Sequence, residues 1–206
     1  MNDYDQKYRW GGILECPLVS KVQRNLLDGG RNRGLSRSLA PYQFRSVIDL
    51  GCGLGETSKV FSHACAYYGL DNSFERIRYA SQTYRPHHFF VGDACKAPLS
   101  AGSCEAGLMI DVSHHLSDEM FRAVVKELGR VSRRYVIVSD PVLFKGQGAL
   151  SRFFYRLDRG SCFRTHDQML AILGSIPGLA IDKIDFFSTF PYLYRHVVIC
   201  LRVVPG

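Results

Sequence analysis

Nothing in this chain limits its fold more than the nine residues Val47-Ile-Asp-Leu-Gly-Cys-Gly-Leu-Gly55. A stretch of buried-strand character runs straight into glycines at positions 51, 53 and 55, and Leu54 to Cys65 then carries the apolar spacing of a helix. Strand, tight turn and helix in that order form a unit built around a ligand, because glycine adopts φ angles closed to other residues and lets a ligand approach the backbone. A second apolar stretch, Tyr67-Tyr68-Gly69-Leu70, ends in Asp71. A carboxylate there is placed to accept two ribose hydroxyl protons, the recurring partner of such a turn. Together these features describe a nucleoside-binding site.

The rest of the chain alternates strand and helix. Asn72-Ser-Phe-Glu75 resembles a capping box opening a helix through Ile77 and Ala80, and His88 to Val91 reads as a short third strand. Ala106 to Ile110 is a fourth. Ser117 can then cap a helix with Asp118 and Glu119 in its first turn and Met120, Phe121, Val124, Val125 and Leu128 on one face. Tyr135 to Ser139 is a fifth strand, Thr165-His-Asp-Gln168 opens a helix that stops near Gly174, and Leu179 to Phe187 and His196 to Val203 are the last two strands. Such alternation predicts an α/β fold with a mainly parallel sheet and helices on both faces.

Asp49-Leu-Gly-Cys-Gly-Leu-Gly55, Asp71 and Gly92-Asp93-Ala94, the last at the end of a third apolar stretch, resemble the class I S-adenosylmethionine-dependent methyltransferases in order and spacing over about residues 45 to 140. Nicotinamide enzymes also use a Gly-rich turn, but theirs is G-x-G-x-x-G and holds a pyrophosphate on a helix N-terminus. Here the third glycine comes one residue early and Glu56 follows it. That carboxylate would repel a pyrophosphate, whereas it tolerates a cationic sulfonium or ammonium.

The resemblance implies a Rossmann-like seven-stranded sheet whose last strand runs antiparallel and inserts beside the fifth. It implies S-adenosylmethionine as cofactor, with Asp49, Gly51, Cys52, Gly53 and Gly55 shaping the donor loop and Asp71 with Asn72 at the ribose. Asp93 and Ala94 would contact adenine, and Asp111 and Val112 would complete the site with Tyr8 closing from the N-terminus. Cys52 could look like a nucleophile, but nothing nearby in sequence would lower its pKa, and a small apolar filler suits that turn.

Residues 1 to 44 form an expected helical cap, with one helix through Val19 to Leu27, ahead of a methyltransferase domain over 45 to 206. Within it, 141 to 164 reads as a substrate-side lid. A helix there would place Leu150, Phe153, Phe154 and Leu157 on one side and Arg152, Arg156 and Arg159 on another. The plain reading is a cover helix with a solvated charged face; the functional one is a clamp for an anionic acceptor or a contact with an acidic membrane surface.

Methyl transfer asks a protein chiefly for alignment and for exclusion of water. A hydroxyl acceptor also needs a base. His114 and His115 follow the fourth strand, at the edge where open α/β sheets gather ligands, and are the candidate catalytic residues. Asp111 with these histidines offers too few oxygens for magnesium, so no metal is expected. Aromatic residues Phe186, Phe187, Phe190, Tyr192 and Tyr194, and Tyr4, Tyr8 and Trp10, supply candidate walls for an acceptor pocket.

The net charge of +7 gathers in Lys21, Arg24, Arg31, Arg33 and Arg37 before the core and in Arg152, Arg156, Arg159 and Arg164 after it. Charge alone would admit an RNA acceptor. No RNA-recognition module is visible, and the fourth strand ends Ile-Asp-Val-Ser-His-His rather than in the Asn/Asp-Pro-Pro-aromatic signature of enzymes that methylate base amines. A small-molecule acceptor, anionic or aromatic and modified at oxygen in a biosynthetic pathway, is the favoured expectation, with a donor-binding module lacking catalysis as the rival of a different class. Seven cysteines without metal-site or disulfide spacing, an N-terminus without a signal-peptide core and the lack of any apolar run near the ~18 residues that span a bilayer point to a cytoplasmic protein.

Overall fold

The structure is a computed structural model that describes residues 30–157, 160, 162–189 and 193–204. The expected helix through Val19 to Leu27, the residues Tyr4, Tyr8 and Trp10, and Phe190 and Tyr192 lie outside the described residues.

The chain enters through helix α1 (Arg31–Leu39) and strand β1 (Ser46–Leu50), passes a 3-10 turn (Glu56–Val60), and continues through β2 (Ala66–Asp71), α2 (Phe74–Thr83) and β3 (His88–Val91). β4 (Cys104–Ile110), α3 (Asp118–Val131) and β5 (Ser132–Pro141) follow, then α4 (Ala149–Leu157), α5 (His166–Gly174), β6 (Leu179–Ser188) and β7 (Arg195–Val203). The seven strands form one sheet in the order β3-β2-β1-β4-β5-β7-β6. β1 to β5 pair in parallel, while β7 lies antiparallel between β5 and β6, the arrangement expected of the resembling family.

The central strands are buried nearly throughout, and their alternate side chains assign each helix a side. Ile48, Leu50, Met109, Val136, Val138 and Ile199 pack with Phe121, Val125 and Leu128 of α3 and Met169 and Leu173 of α5. On the opposite face Val47, Tyr67, Leu108, Ile137 and Val198 meet Leu35 and Leu39 of α1. The C-terminal ends of β1, β2, β4 and β5 therefore open on one rim, where ligands bind in open α/β sheets.

Two expected helices differ. The helix expected over Leu54 to Cys65 is only the five-residue 3-10 turn, ending where Phe61 is extended at φ −103°, ψ 143°. Ser58 explains part of this, because its hydroxyl donates back to the Gly55 carbonyl at 2.6 Å, an alternative to the helical ladder, and Thr57, Ser58 and Val60 are weak helix formers. The sheet face left bare is covered by α1 and by rings, with Phe44, Phe61, Tyr67 and Phe89 in contact with their neighbours at 5.8–6.4 Å between centroids. At α2 the cap is Ser73, one residue after the expected Asn72, and its hydroxyl accepts from the Arg76 N–H.

A helix, α4, forms within the segment expected as a lid, but only part of its apolar side packs, Phe154 against the cluster of Tyr155, Leu193 and Tyr194. Leu150 is 61% exposed and Phe153 55%, whereas Ser151 and Tyr155 are buried. Ser151 donates to the Leu193 carbonyl at 2.5 Å, Tyr155 to the Val142 carbonyl at 2.9 Å, and Tyr194 to the Phe154 carbonyl at 3.1 Å. These polar anchors set the helix rotation.

Candidate active site

The turn after β1 is built by its glycines and by Asp71. Gly51 sits at φ +83°, and a Cβ on it would meet Val112 at 2.6 Å, so the turn and the chain after β4 approach closer than any side chain permits. The N–H groups of Gly51 and Cys52 both donate to the Leu70 carbonyl, at 2.7 and 3.0 Å. Asp71, buried at the end of β2, accepts from the Gly53 N–H at 2.9 Å through one oxygen and from the Ser73 N–H at 3.0 Å through the other. Its carboxylate thus ties the glycine turn to the end of β2. Cys52 is buried with its sulfur against Gly69, and burial, with Asp49 and Asp71 adding, pushes its thiol far above the ordinary range. It is packing, inert as a nucleophile.

Asp49, beneath the turn, is 1% exposed and accepts from the Tyr67 hydroxyl at 2.5 Å, while its other oxygen has no hydrogen-bond partner. Burial pushes its carboxyl up to about 7, with Asp71 and Asp111 adding to the rise and Tyr67 and Arg31 opposing it. Asp93 is exposed and caps its own turn by accepting from the Cys95 N–H at 2.8 Å, with Ala94 partly buried beside it and Asn72 exposed after β2.

At the end of β4, Asp111 holds φ +56°, unusual for a residue with a side chain. It meets Arg31 of α1 at 2.5 Å and lies 3.3 Å from Nδ1 of His196, the second residue of β7, too far off line for a hydrogen bond. Burial would raise this carboxyl, but Arg31 and His196 outweigh it and hold it well below the usual range. His196 is 2% exposed and stacks on Phe187 at 4.8 Å. Sequence reasoning missed this cluster, since Arg31 and Asp111 stand 80 residues apart and only the fold brings them together.

The two candidate histidines part company. His114 is buried, with Nδ1 2.5 Å from Asp140 at the end of β5 and its backbone N–H donating to the same carboxylate at 2.8 Å. The Ser113 hydroxyl donates to Asp140 as well. Phe163 stacks on the imidazole at 5.0 Å, and a Cβ on Gly160 would collide with it. His115 is exposed, its ring 4.1 Å from that of His114. Asp140 was not among the expected site residues, although its position ending a parallel strand was the available signal. A surface depression of about 500 Å³ between α3 and α5, lined by Asp118, Arg122, Arg164 and Gln168, reaches this rim through Phe163, which stacks on His114.

Residues 47–134 match the family model of the methyltransferase domain. No curated protein matches the chain in sequence. Among solved structures, magnesium protoporphyrin IX methyltransferase (ChlM) from Synechocystis PCC 6803 with bound SAH is similar at TM-score 0.65 and 18% identity, over 84% of this chain and 82% of that one. Geranyl diphosphate methyltransferase in complex with GPP and sinefungin is similar at TM-score 0.66 and 15% identity, over 84% of this chain and 77% of that one. The [4+2]-cyclase SpnF matches at TM-score 0.68 and 15% identity, over 85% of this chain and 81% of that one. The sheet order is that of these solved methyltransferase folds, and the glycine turn lies inside the segment that matches the methyltransferase domain. The matched domain implies S-adenosylmethionine as cofactor, and the rim fits one: buried carboxylate oxygens of Asp49 and Asp111 that lack hydrogen-bond partners suit a ligand carrying positive charge.

Proposed function

We propose that the chain methylates a hydroxyl of a small molecule, and the observation that carries this reading is the buried pair His114–Asp140 on the same rim as the glycine turn. The donor supplies an activated methyl group; the chain must align the acceptor, exclude water and receive the hydroxyl proton. A histidine oriented through Nδ1 by a carboxylate is suited to take that proton, and the carboxylate stabilises the imidazolium that results. Three contacts from His114 and Ser113 fix Asp140, so the ring is oriented before any acceptor arrives. His115, exposed beside it, borders the approach.

In this reading Asp49, Gly51, Cys52, Gly53 and Gly55 hold the donor with Asp71, Asn72, Asp93, Ala94, Asp111 and Val112. Residues 1–44 act as a cap, supported by the tie from Arg31 of α1 to Asp111. Residues 141–164 act as a lid, supported by the Cys162 N–H donating to the His114 carbonyl at 2.9 Å. The rings of Tyr155, Phe163 and Tyr194 offer an aromatic wall, and the two similar structures named for magnesium protoporphyrin IX and geranyl diphosphate support a small-molecule acceptor. Free thiols at Cys52, Cys65, Cys95, Cys104 and Cys200 suit a reducing cytoplasm.

The test is His114→Asn against the native chain, with labelled methyl donor and pooled hydroxylated acceptors. Loss of a base lowers kcat by about 10²–10⁴-fold, with donor affinity in calorimetry unchanged. Full turnover with an unaltered pH profile in the variant would remove the base assignment; donor binding without turnover on any pool would favour the binding-only module.

A further inference from the structure

We infer that helix α4 is a docking surface for an acidic lipid bilayer. A helix at the edge of a globular domain ordinarily turns its apolar stripe to the core. Here Ser151 and Tyr155 take the inner position, each hydrogen-bonded to a backbone carbonyl, and Leu150 and Phe153 are left pointing outward. Leu143, 37% exposed, adds to the outward apolar surface just ahead of the helix. The loss is not incidental to a mobile tip, because both anchors lock the helix against the sheet end at Val142 and Leu193.

Charge selects the occupant. From Val142 to Leu157 the sequence holds three cations, Lys145, Arg152 and Arg156, and no acid. All three are exposed. On a helix of this length Leu150 and Phe153 share one outward side, Arg152 and Arg156 a second, and the anchors a third. An apolar strip flanked by cations, in a segment too short to span a bilayer, is the composition of a helix that lies in the headgroup region of anionic lipid. Docking there would leave near the lipid surface the segment whose Cys162 N–H donates to the His114 carbonyl. The inference stands on exposure and charge and does not depend on the acceptor assigned above.

The experiment is flotation of the full chain with vesicles of phosphatidylcholine and with vesicles in which phosphatidylglycerol replaces part of it. Binding to the acidic vesicles alone is expected. Leu150→Ser with Phe153→Ser should cut partitioning by roughly ten-fold or more, from the transfer cost of two apolar side chains. Arg152→Ser with Arg156→Ser should cut it by about 30-fold, at about five-fold for each cation near an anionic surface. Donor binding, measured by calorimetry on each variant, should stay at the native value and shows that the fold is intact. No binding to acidic vesicles, equal binding to neutral ones, or binding indifferent to Leu150 and Phe153 would overturn the inference. So would a dimer in light scattering that the Leu150/Phe153 variant dissociates, which would make the patch a contact between copies.

Discussion

Asp49 shows how a single buried residue can couple donor binding to pH. Its carboxyl is pushed up to about 7, chiefly by burial, and one oxygen lacks a hydrogen-bond partner. A cationic ligand beside it favours the carboxylate. Below about 7 the apo protein holds the group protonated, so binding must expel a proton and affinity falls; above it the carboxylate is already formed and affinity is level. Calorimetric titration with S-adenosylmethionine should therefore tighten by up to about ten-fold per pH unit between about pH 5.5 and 7 and then flatten. Asp49→Asn, which can still accept from Tyr67, should remove the slope. The same shift has a stability consequence of matching sign: a carboxyl raised on folding stabilises the apo fold most at low pH and loses that contribution as pH rises from about 4 through 7. A native slope that survives in Asp49→Asn would place the titrating group elsewhere.

Elements differ in how much of their stability is written locally. Helix α5 carries a complete capping box: the Thr165 hydroxyl accepts from the Gln168 N–H, and the Gln168 side chain accepts from the Thr165 N–H at 2.8 Å. Thr165→Ala should cost about 1 kcal/mol and lower the melting temperature by roughly 2–4 °C, with donor affinity unchanged; an unaltered melt would show that the buried Met169 and Leu173 hold the helix without its cap. Features of this kind were legible in the sequence, as were Ser117 before α3, the strand His88–Val91 and the glycine turn, because each is a contact among near neighbours. The short turn after Gly55 was not, since the apolar spacing that suggests a helix also serves a segment held by ring packing. Nor was the rotation of α4, which Val142 and Leu193 decide. The partners of Asp111 and His114 depend on strand order: Arg31, Asp140 and His196 arrive from distant segments, and no local pattern marks them.

At the scale of the whole molecule, the charge of +7 overstates the surface available to a polyanion. Arg31 is 6% exposed and spends its charge on Asp111. Arg164, equally buried, bridges Asp118 and donates to the carbonyls of Ser113 and Leu116 at 2.7 Å. Each of the two basic clusters read from the sequence thus loses a member to the interior, where it ties a flanking segment to the rim. Among the described residues of the second cluster, Arg152 and Arg156 remain outward, beside apolar side chains rather than in a groove. A nucleic-acid acceptor gripped by several phosphate contacts would lose about 10³-fold in affinity between roughly 50 and 200 mM salt, as released counterions return. A small acceptor meeting one or two cations should lose only about three-fold to ten-fold over that range. Measuring kcat/KM for a responding acceptor across that salt range separates the two, and a steep power-law loss would return the acceptor to RNA. The similarity to a cyclase as well as to methyltransferases makes the distinction worth measuring: this fold brings a donor to the rim of the sheet, and the surfaces around that rim determine what meets it.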